Sequence, residues 1–270
     1  PVFSYIPPSA WAWRKGRAKS CAALADEIVA IFPHELPPYE AAGANISFVG
    51  NPLIDTVHGE MEPEEARIHF GIRAEDVPIL LMPGSRREEI ERLLPPMLDA
   101  AEILAAEDPA RRFFLPVAGG VDVTQIEGHL AVSSVTVTLT HDARYALMGI
   151  ARAAIAASGT VVMEAAIMGL PAVILYRMSA LSYFVGRLLV DVPRFSLPNI
   201  LVGETFETEL LQDEVQPERI AEAMERIIAD GADRDYVTER LARAVALLGE
   251  PHAARRVAEK ILALARTSET

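Results

Sequence analysis

Cysteine is nearly absent: Cys21 is the single one in 270 residues. An intrachain disulfide and a cysteine zinc cluster are therefore excluded, which fits a reducing compartment and leaves Cys21 to behave as a small packed hydrophobe. Basic residues are also short, 25 Lys and Arg against 38 Asp and Glu, for a net charge of −13. That balance argues against nucleic-acid binding, yet leaves room for a local anion site built from a few N–H groups and one arginine. The six histidines are scattered, and no GxSxG, HExxH, EF-hand loop, Walker A loop or GxGxxG fingerprint occurs. Serine-hydrolase, zinc-protease, calcium, ATP and dinucleotide readings are thereby disfavoured, and neither a metal nor a cofactor is expected. The chain opens at Pro1 with no initiator Met and no signal-peptide layout, and reads as cut from within a longer protein. The longest weakly charged stretch, 153–176, carries only Glu164. Gly159, Gly169 and Pro171 break it where strand, helix and strand should meet, which favours a buried β-α-β unit over a membrane span.

What is present is a globular composition, 51% apolar, and an alternation of short β-rich runs with helical patterns. Strands are predicted at 2–6, 27–32, 47–49, 79–82, 113–117, 135–139, 153–157 and 172–175. Helices are predicted between them, for example at 96–107, 160–168 and 180–189. Runs this short, flanked by helices, suit parallel strands buried on both faces. The tail differs: 217–229, 234–248 and 252–266 read as three helices with no strand between. A boundary is expected around Asn51–Glu65, where Asn51-Pro52 and a polar run break the pattern.

Four segments could carry chemistry. Met82-Pro83-Gly84-Ser85-Arg86 follows a strand, so it should sit at the carboxyl end of a sheet. Gly84 permits a tight turn, Ser85 and Glu88 have capping-box spacing, and Arg86 could fork onto a diphosphate; an ordinary turn with solvated arginines is the bland alternative. Ser158-Gly159-Thr160 follows the strand predicted at 153–157 and opens a helix. Its N–H groups and hydroxyls form an anion cradle. Glu164, one to two turns into that apolar helix, needs a partner, either a ribose diol or an arginine. Asn199, after Pro198, could be held as a rigid donor and acceptor, or be an ordinary loop residue. Last, both tryptophans, Trp11 and Trp13, precede or flank four cations, Arg14, Lys15, Arg17 and Lys19. Such a patch could meet a phosphate, acyl chains or an anionic membrane surface, or simply be a solvated basic face.

These motifs, in this order, resemble the lipid-A-disaccharide synthases. Tyr5-Ile6-Pro7-Pro8-Ser9-Ala10-Trp11-Ala12-Trp13-Arg14 is similar to the family's Y-V-S-P-x-x-W-A-W-R, and Phe48 to Asp55 to its F-x-G-H-P-L-x-D. Pro83-Gly84-Ser85-Arg86 looks like L-P-G-S-R, and Ser158-Gly159-Thr160 with Glu164 like S-G-T-x-x-x-E. Tyr176-Arg177, Ser196-Leu197-Pro198-Asn199 and Leu210-Leu211-Gln212 match Y-R, S-L-P-N and E-L-L-Q. The resemblance implies an α/β fold of GT-B type: two Rossmann-like parallel-sheet domains, the N-terminal one incomplete, and a helical C-terminal tail. Residues 1–57 would end the acceptor domain, 58–215 would bind the nucleotide-sugar donor, and 216–270 would pack back on the first domain. It implies an inverting transfer of 2,3-diacylglucosamine from its UDP conjugate to 2,3-diacylglucosamine 1-phosphate. Arg86 would stabilise the leaving UDP. Gly84, Ser85, Ser158, Gly159, Thr160, Glu164, Arg177 and Asn199 would bind donor, and Trp11, Trp13 and Arg14 would touch lipid or acceptor. The implied setting is cytoplasmic, at the inner membrane surface, with room for a homodimer.

Departures from the family pattern are Asn51 for its usual His, Glu204 where a basic residue is common, and Thr208 for a usual Pro. The family's Gly-rich acceptor region and candidate catalytic Asp have no counterpart in the chain, so the expectation is a UDP site without complete transfer by this chain alone. Rival readings are another UDP-sugar enzyme of the same fold, or a non-catalytic nucleotide-sugar-binding or membrane-associated scaffold.

Overall fold

A computed structural model describes residues 1–10, 16–178 and 193–267. The helical pattern expected at 180–189 and the residues Trp11, Trp13 and Arg14 lie outside the described residues. The backbone forms two all-parallel sheets in two compact units. One unit draws on residues 1–56 and on the chain from 244 onward; the other holds the described residues of 57–180 and 194–243.

The smaller unit is built on β1 (Phe3–Tyr5), β2 (Glu27–Ala30) and β3 (Ile46–Phe48), in that spatial order, with α1 (Gly16–Leu24) and α2 (Leu36–Glu40) in the crossovers. The central strand is buried through Ile28, Val29 and Ala30. Ala10, Ala18, Ile28 and Tyr39 form its core, with Cys21 packed at the edge. Asn51, fully buried, donates to the Ile31 carbonyl (2.9 Å) and accepts from the Leu53 N–H (2.9 Å), so it caps the short α3 (Leu53–Thr56). The last helix of the chain, Ala253–Thr267, belongs to this unit. The Asp55 carboxylate accepts from the His252 and Ala253 N–H groups at its start, at 2.6 and 3.1 Å. Lys260 closes on Glu27 at 2.7 Å.

The larger unit runs α4 (Pro63–His69), β4 (Val77–Met82), α5 (Arg87–Glu107), β5 (Arg111–Pro116), α6 (Val123–Leu130), β6 (Val137–Thr140), α7 (Arg144–Ile150), β7 (Ala153–Ala157) and α8 (Thr160–Ile167). It continues through β8 (Ala172–Tyr176), α9 (Leu197–Val202), β9 (Glu209–Leu211) and α10 (Pro217–Ile228). Its six strands order as β6-β5-β4-β7-β8-β9, all parallel. The central pair is in register Ile79 with Ala153 and Leu81 with Ile155, and β7 is buried along its whole length.

Three features differ from the sequence expectation. The helix expected to start at Pro96 starts at Arg87 and runs through Pro95 and Pro96. A proline inside a helix costs about 3 kcal/mol. The inward face on both sides of the pair, Ile90, Leu93, Leu94, Met97, Leu98 and Leu104, is buried and offsets that cost. Strand β9 has only three residues, too few to show a period. The tail does not all serve the first unit: α10 packs on α5, β7 and β8. Its apolar stripe of Ile220, Ala223, Met224 and Ile227 recurs at helical spacing and meets that side of the larger sheet.

Arg111 ties α10 down. Its guanidinium, 8% exposed, binds the Glu225 carboxylate through both terminal nitrogens, the Nη2–Oε2 distance being 2.9 Å. Removing one partner strands a buried charge, whereas replacing both by apolar residues does not. Arg111 Nη1 also reaches the Leu104 carbonyl (3.0 Å) and Glu107 Oε2 (3.4 Å), so Glu225→Ala should lower the stability of this unit by about 1–2 kcal/mol in urea unfolding, and the Arg111→Met/Glu225→Met double variant should recover most of it.

Candidate functional site

The strand order reverses between β4 and β7. From β4 the chain moves outward to β5 and β6, from β7 to β8 and β9. At such a point the loops leaving the two strands diverge and leave a crevice at their carboxyl ends. These loops are residues 83–86 and 158–159, the two segments singled out in the sequence.

In the first loop Gly84 has φ +104°, a left-handed conformation, and a Cβ there would collide with the Glu89 carboxylate. Both facts require glycine. The Glu89 carboxylate folds back on the loop: Oε2 accepts from the Ser85 and Arg86 N–H groups at 3.2 and 3.3 Å, and Oε1 from Arg86 Nη1 at 2.8 Å. The capping box expected from Ser85 and Glu88 is thus displaced by one residue. Arg86 takes the N-cap position, and because a guanidinium cannot accept, only the returning half from Glu89 forms.

In the second loop Gly159 is extended, at φ 174°, so conformation alone does not demand glycine. A Cβ there would meet no protein atom within 4 Å. The Ser158 hydroxyl donates to the Phe195 carbonyl at 3.3 Å, and α8 then starts with no side-chain cap. Its leading N–H groups are the kind that hold an anion. Glu164, buried on α8, accepts at Oε1 from Arg144 Nη2, 3.2 Å away. Of the two partners the sequence allowed, the structure shows the arginine.

Together these residues line one cavity of about 330 Å³, within the range of small-ligand pockets. Gly84, Ser85 and Arg86 form one wall, and Ser158, Gly159, Thr160 and Glu164 the other. Pro116, Val117, Ala118 and Met148 add an apolar floor. Two charged lining residues were not foreseen. Glu89 was given no role at the site, and Arg144 carries no local signal: it matters through a contact twenty residues away. Asp142, just before α7, pairs with His69 Nε2 at 3.3 Å.

Two predicted donor-site residues are not brought to the cavity. Arg177 donates to the carbonyls of Gln212 (3.3 Å) and Val215 (2.9 Å), bracing the chain after β9. Asn199 is fully buried. Its Nδ2 donates to the Glu207 carbonyl (2.9 Å) and Glu209 Oε1 (2.7 Å), and its Oδ1 accepts from the Phe206 (3.0 Å) and Glu207 (3.1 Å) N–H groups. All four of its hydrogen-bonding positions are used within the fold, so it holds the turn behind the wall. Glu209 also accepts from the Phe195 and Ser196 N–H groups at 2.9 and 3.0 Å, and Phe195 is the partner of Ser158.

Comparison with known proteins agrees with this arrangement. A family model described as lipid-A-disaccharide synthetase matches residues 1–263. The lipid-A-disaccharide synthase of Syntrophus aciditrophicus is 40% identical over 270 residues, 100% of this chain and 70% of that protein. In fold, the chain is similar to the S. aureus MnaA–UDP structure, with a TM-score of 0.63 at 14% identity over 97% of this chain and 68% of that one. It is likewise similar to UDP-GlcNAc 2-epimerase from Neisseria meningitidis bound to UDP-GlcNAc, with a TM-score of 0.61 at 16% identity over 89% and 62%. The GT-B type expected from the sequence is therefore the fold observed.

Behind Asn199 lies Glu207, 2% exposed, whose Oε1 accepts from the Ala172 N–H at 3.0 Å and whose Oε2 has no partner. Burial, aided by nearby Glu209, pushes its carboxyl from the ordinary 4.5 up to about 8. Between these values the folded protein binds more protons than the unfolded one. The stability contributed by the neutral acid is complete below the lower value and is lost as pH rises through the upper. Glu207→Gln, neutral throughout, should flatten this dependence: urea unfolding at pH 5 and pH 8 should show the variant gaining on the parent by on the order of a few kcal/mol.

Proposed function

Because the chain belongs to the lipid-A-disaccharide synthase family, we propose that the cavity between the 83–86 and 158–160 loops is the UDP-sugar donor site of this glycosyltransferase of lipid A biosynthesis. The convergence of those two loops at the reversal of strand order carries the reading, and the UDP and UDP-GlcNAc named for the two structural neighbours support it. The reaction is transfer of 2,3-diacylglucosamine from UDP-2,3-diacylglucosamine to 2,3-diacylglucosamine 1-phosphate. The acceptor 6-hydroxyl bonds to the anomeric carbon and loses its proton. The anomeric C–O bond breaks with its electron pair going to UDP, and the centre inverts.

Negative charge grows on the β-phosphate as that bond breaks. Preorganised donors aimed at it lower the barrier because they need no reorganisation. Arg86, held by Glu89, supplies a fork for phosphate oxygens, and the uncapped start of α8 supplies N–H groups. Glu164 takes the ribose hydroxyls as a carboxylate acceptor, and the apolar floor receives the base. The acceptor and the inner membrane surface belong with residues 1–57 and the Trp11–Lys19 segment. No helix among the described residues is long and apolar enough to cross a membrane, and in this reading the lipid substrates bring the protein to the cytoplasmic face of the inner membrane as a peripheral partner. Association into a homodimer fits the same reading.

Calorimetric titration should show selective binding of UDP over ADP, weakened by roughly tenfold or more in Glu164→Ala, the loss of hydrogen bonds to a charged acceptor. A folded protein that ignores UDP would sink the assignment. Arg86→Ala in the transferase should lower kcat by roughly 100-fold to 1,000-fold, the usual effect of deleting one preorganised donor to a developing charge, with a smaller change in donor KM. Unchanged kcat would remove Arg86 from leaving-group stabilisation.

A further inference from the structure

Glu164 has to do two things at once. Its side chain is 10% exposed, among Val162, Met163, Ala165 and Ala166 of α8, yet it must stay ionised and correctly turned to accept two hydroxyl protons. Arg144 is the one cation within ion-pair distance of it among the described residues. The contact is made through a single nitrogen. Nη2 lies 3.2 Å from Glu164 Oε1 and 2.6 Å from the Tyr145 hydroxyl, so its two N–H groups serve one partner each. The guanidinium also sits 4.6 Å from the centre of the Tyr145 ring, a cation–π stack that holds it from a second direction. Glu164 Oε2 has no hydrogen bond among the described residues, and both Glu164 and Arg144 line the cavity.

The backbone is bent to put Arg144 there. Ala143, just before it, has φ +48° and ψ +37°, a left-handed conformation that non-glycine residues adopt at a cost. The next residue opens α7 with its side chain at the cavity.

We propose that Arg144 is a positioning residue for ribose: by anchoring Oε1 and balancing the charge of Glu164, it leaves Oε2 to the sugar hydroxyls and makes the site select ribonucleoside over deoxyribonucleoside diphosphates. The inference rests on the reading of this cavity as the UDP site. It explains why a carboxylate survives on an apolar helix and why its arginine is held in turn by Tyr145. The pair is compatible with bound ribose, since a carboxylate offers lone pairs on both oxygens.

The test is the affinity of the protein for UDP and for 2′,3′-dideoxy-UDP, in the parent, Glu164→Ala, Arg144→Met and the double variant. The parent should prefer UDP by about tenfold or more. Each single variant should reduce that preference to within about twofold while binding dideoxy-UDP much as the parent does, and the double variant should add nothing further. Arg144→Met keeping the full preference overturns the proposal. So does an equal loss for both ligands, which would place Arg144 on the phosphates or the base. If Glu164→Ala keeps the preference, the ribose reading of the site itself fails, and if the parent binds no UDP the donor-site reading fails with it. The Arg144 side chain is 47% exposed, so the fold should tolerate its loss; Arg144→Gln repeats the test if the Met variant does not fold.

Discussion

Strands β4 and β7 lie side by side, and the chain leaves them in opposite directions. Parallel strands joined by right-handed crossovers place successive helices on one face of the sheet until the direction reverses, and then on the other. Here α5 packs with α10, and α4 packs with α7. The loops after β4 and β7 are therefore pulled apart and leave a gap between them. Each loop also opens a helix, so the gap is edged by two helix starts, the elements whose N–H groups have no partner inside the helix. The four alanines and one isoleucine of β7, all buried, let the helices on both faces press close at that point.

Two arginines and two glutamates face the resulting cavity, and each guanidinium is joined to one carboxylate. The pairs differ in surroundings and so in consequence. Arg86 is 82% exposed, so its bond to Glu89 adds at most about 1 kcal/mol to stability. Its effect is to keep a mobile side chain within reach of an entering anion. Glu164 is almost enclosed, and there the opposite charge is a condition for the carboxylate's presence. Paired in this way, the four charges sum to zero, while the uncapped N–H groups at the start of α8 and further nitrogens of Arg86 and Arg144 stay available. A strongly acidic chain can hold a diphosphate only through such local arrangement, since its overall field repels one.

Much of this was legible in the sequence, because it rests on local signals. Gly84, Ser158, Gly159 and Thr160 announce turns and helix starts directly after apolar runs, and chain order alone assigns both loops to strand ends. The strands of the larger sheet were found to within two residues at most ends, as their apolar runs are bounded by turn residues. What stayed hidden depends on contacts distant in the chain. Arg144 looks like any surface arginine until the fold brings it to Glu164 on α8. Asn199 looks like a ligand-facing residue until Glu207 and Glu209 fold over it. The start of α5 was obscured by Pro95-Pro96, where a strong local stop signal is overruled by burial on both sides. Arg177 was placed at the donor by resemblance, and its carbonyl partners at Gln212 and Val215 lie in the turn after a strand too short to recognise.

The departures from the family pattern bear on which reading of the chain holds. Each finds its partners within its own unit. Asn51 satisfies its side chain on Ile31 and Leu53 inside the smaller unit. Glu204 meets Arg240 and the Tyr236 hydroxyl, so the acid at a commonly basic position has cations supplied to it from the helix Ala232–Ala246. Thr208 contributes its carbonyl to the Ile174 N–H at 2.8 Å, a bond that a proline at that position would also make. None of the three lines the cavity. Behind its second wall the same region keeps a costly arrangement: an acid at Glu207 with one oxygen unpartnered, linked through Asn199 and Glu209 to Phe195 and so to the Ser158 hydroxyl. A scaffold relieved of chemistry would gain stability by replacing that acid with an apolar residue. That acid stands four hydrogen-bonded steps from the Ser158 hydroxyl, joined through its own backbone to Asn199 and then through Glu209 and Phe195, so its cost is borne in the layer that braces the second wall of the cavity.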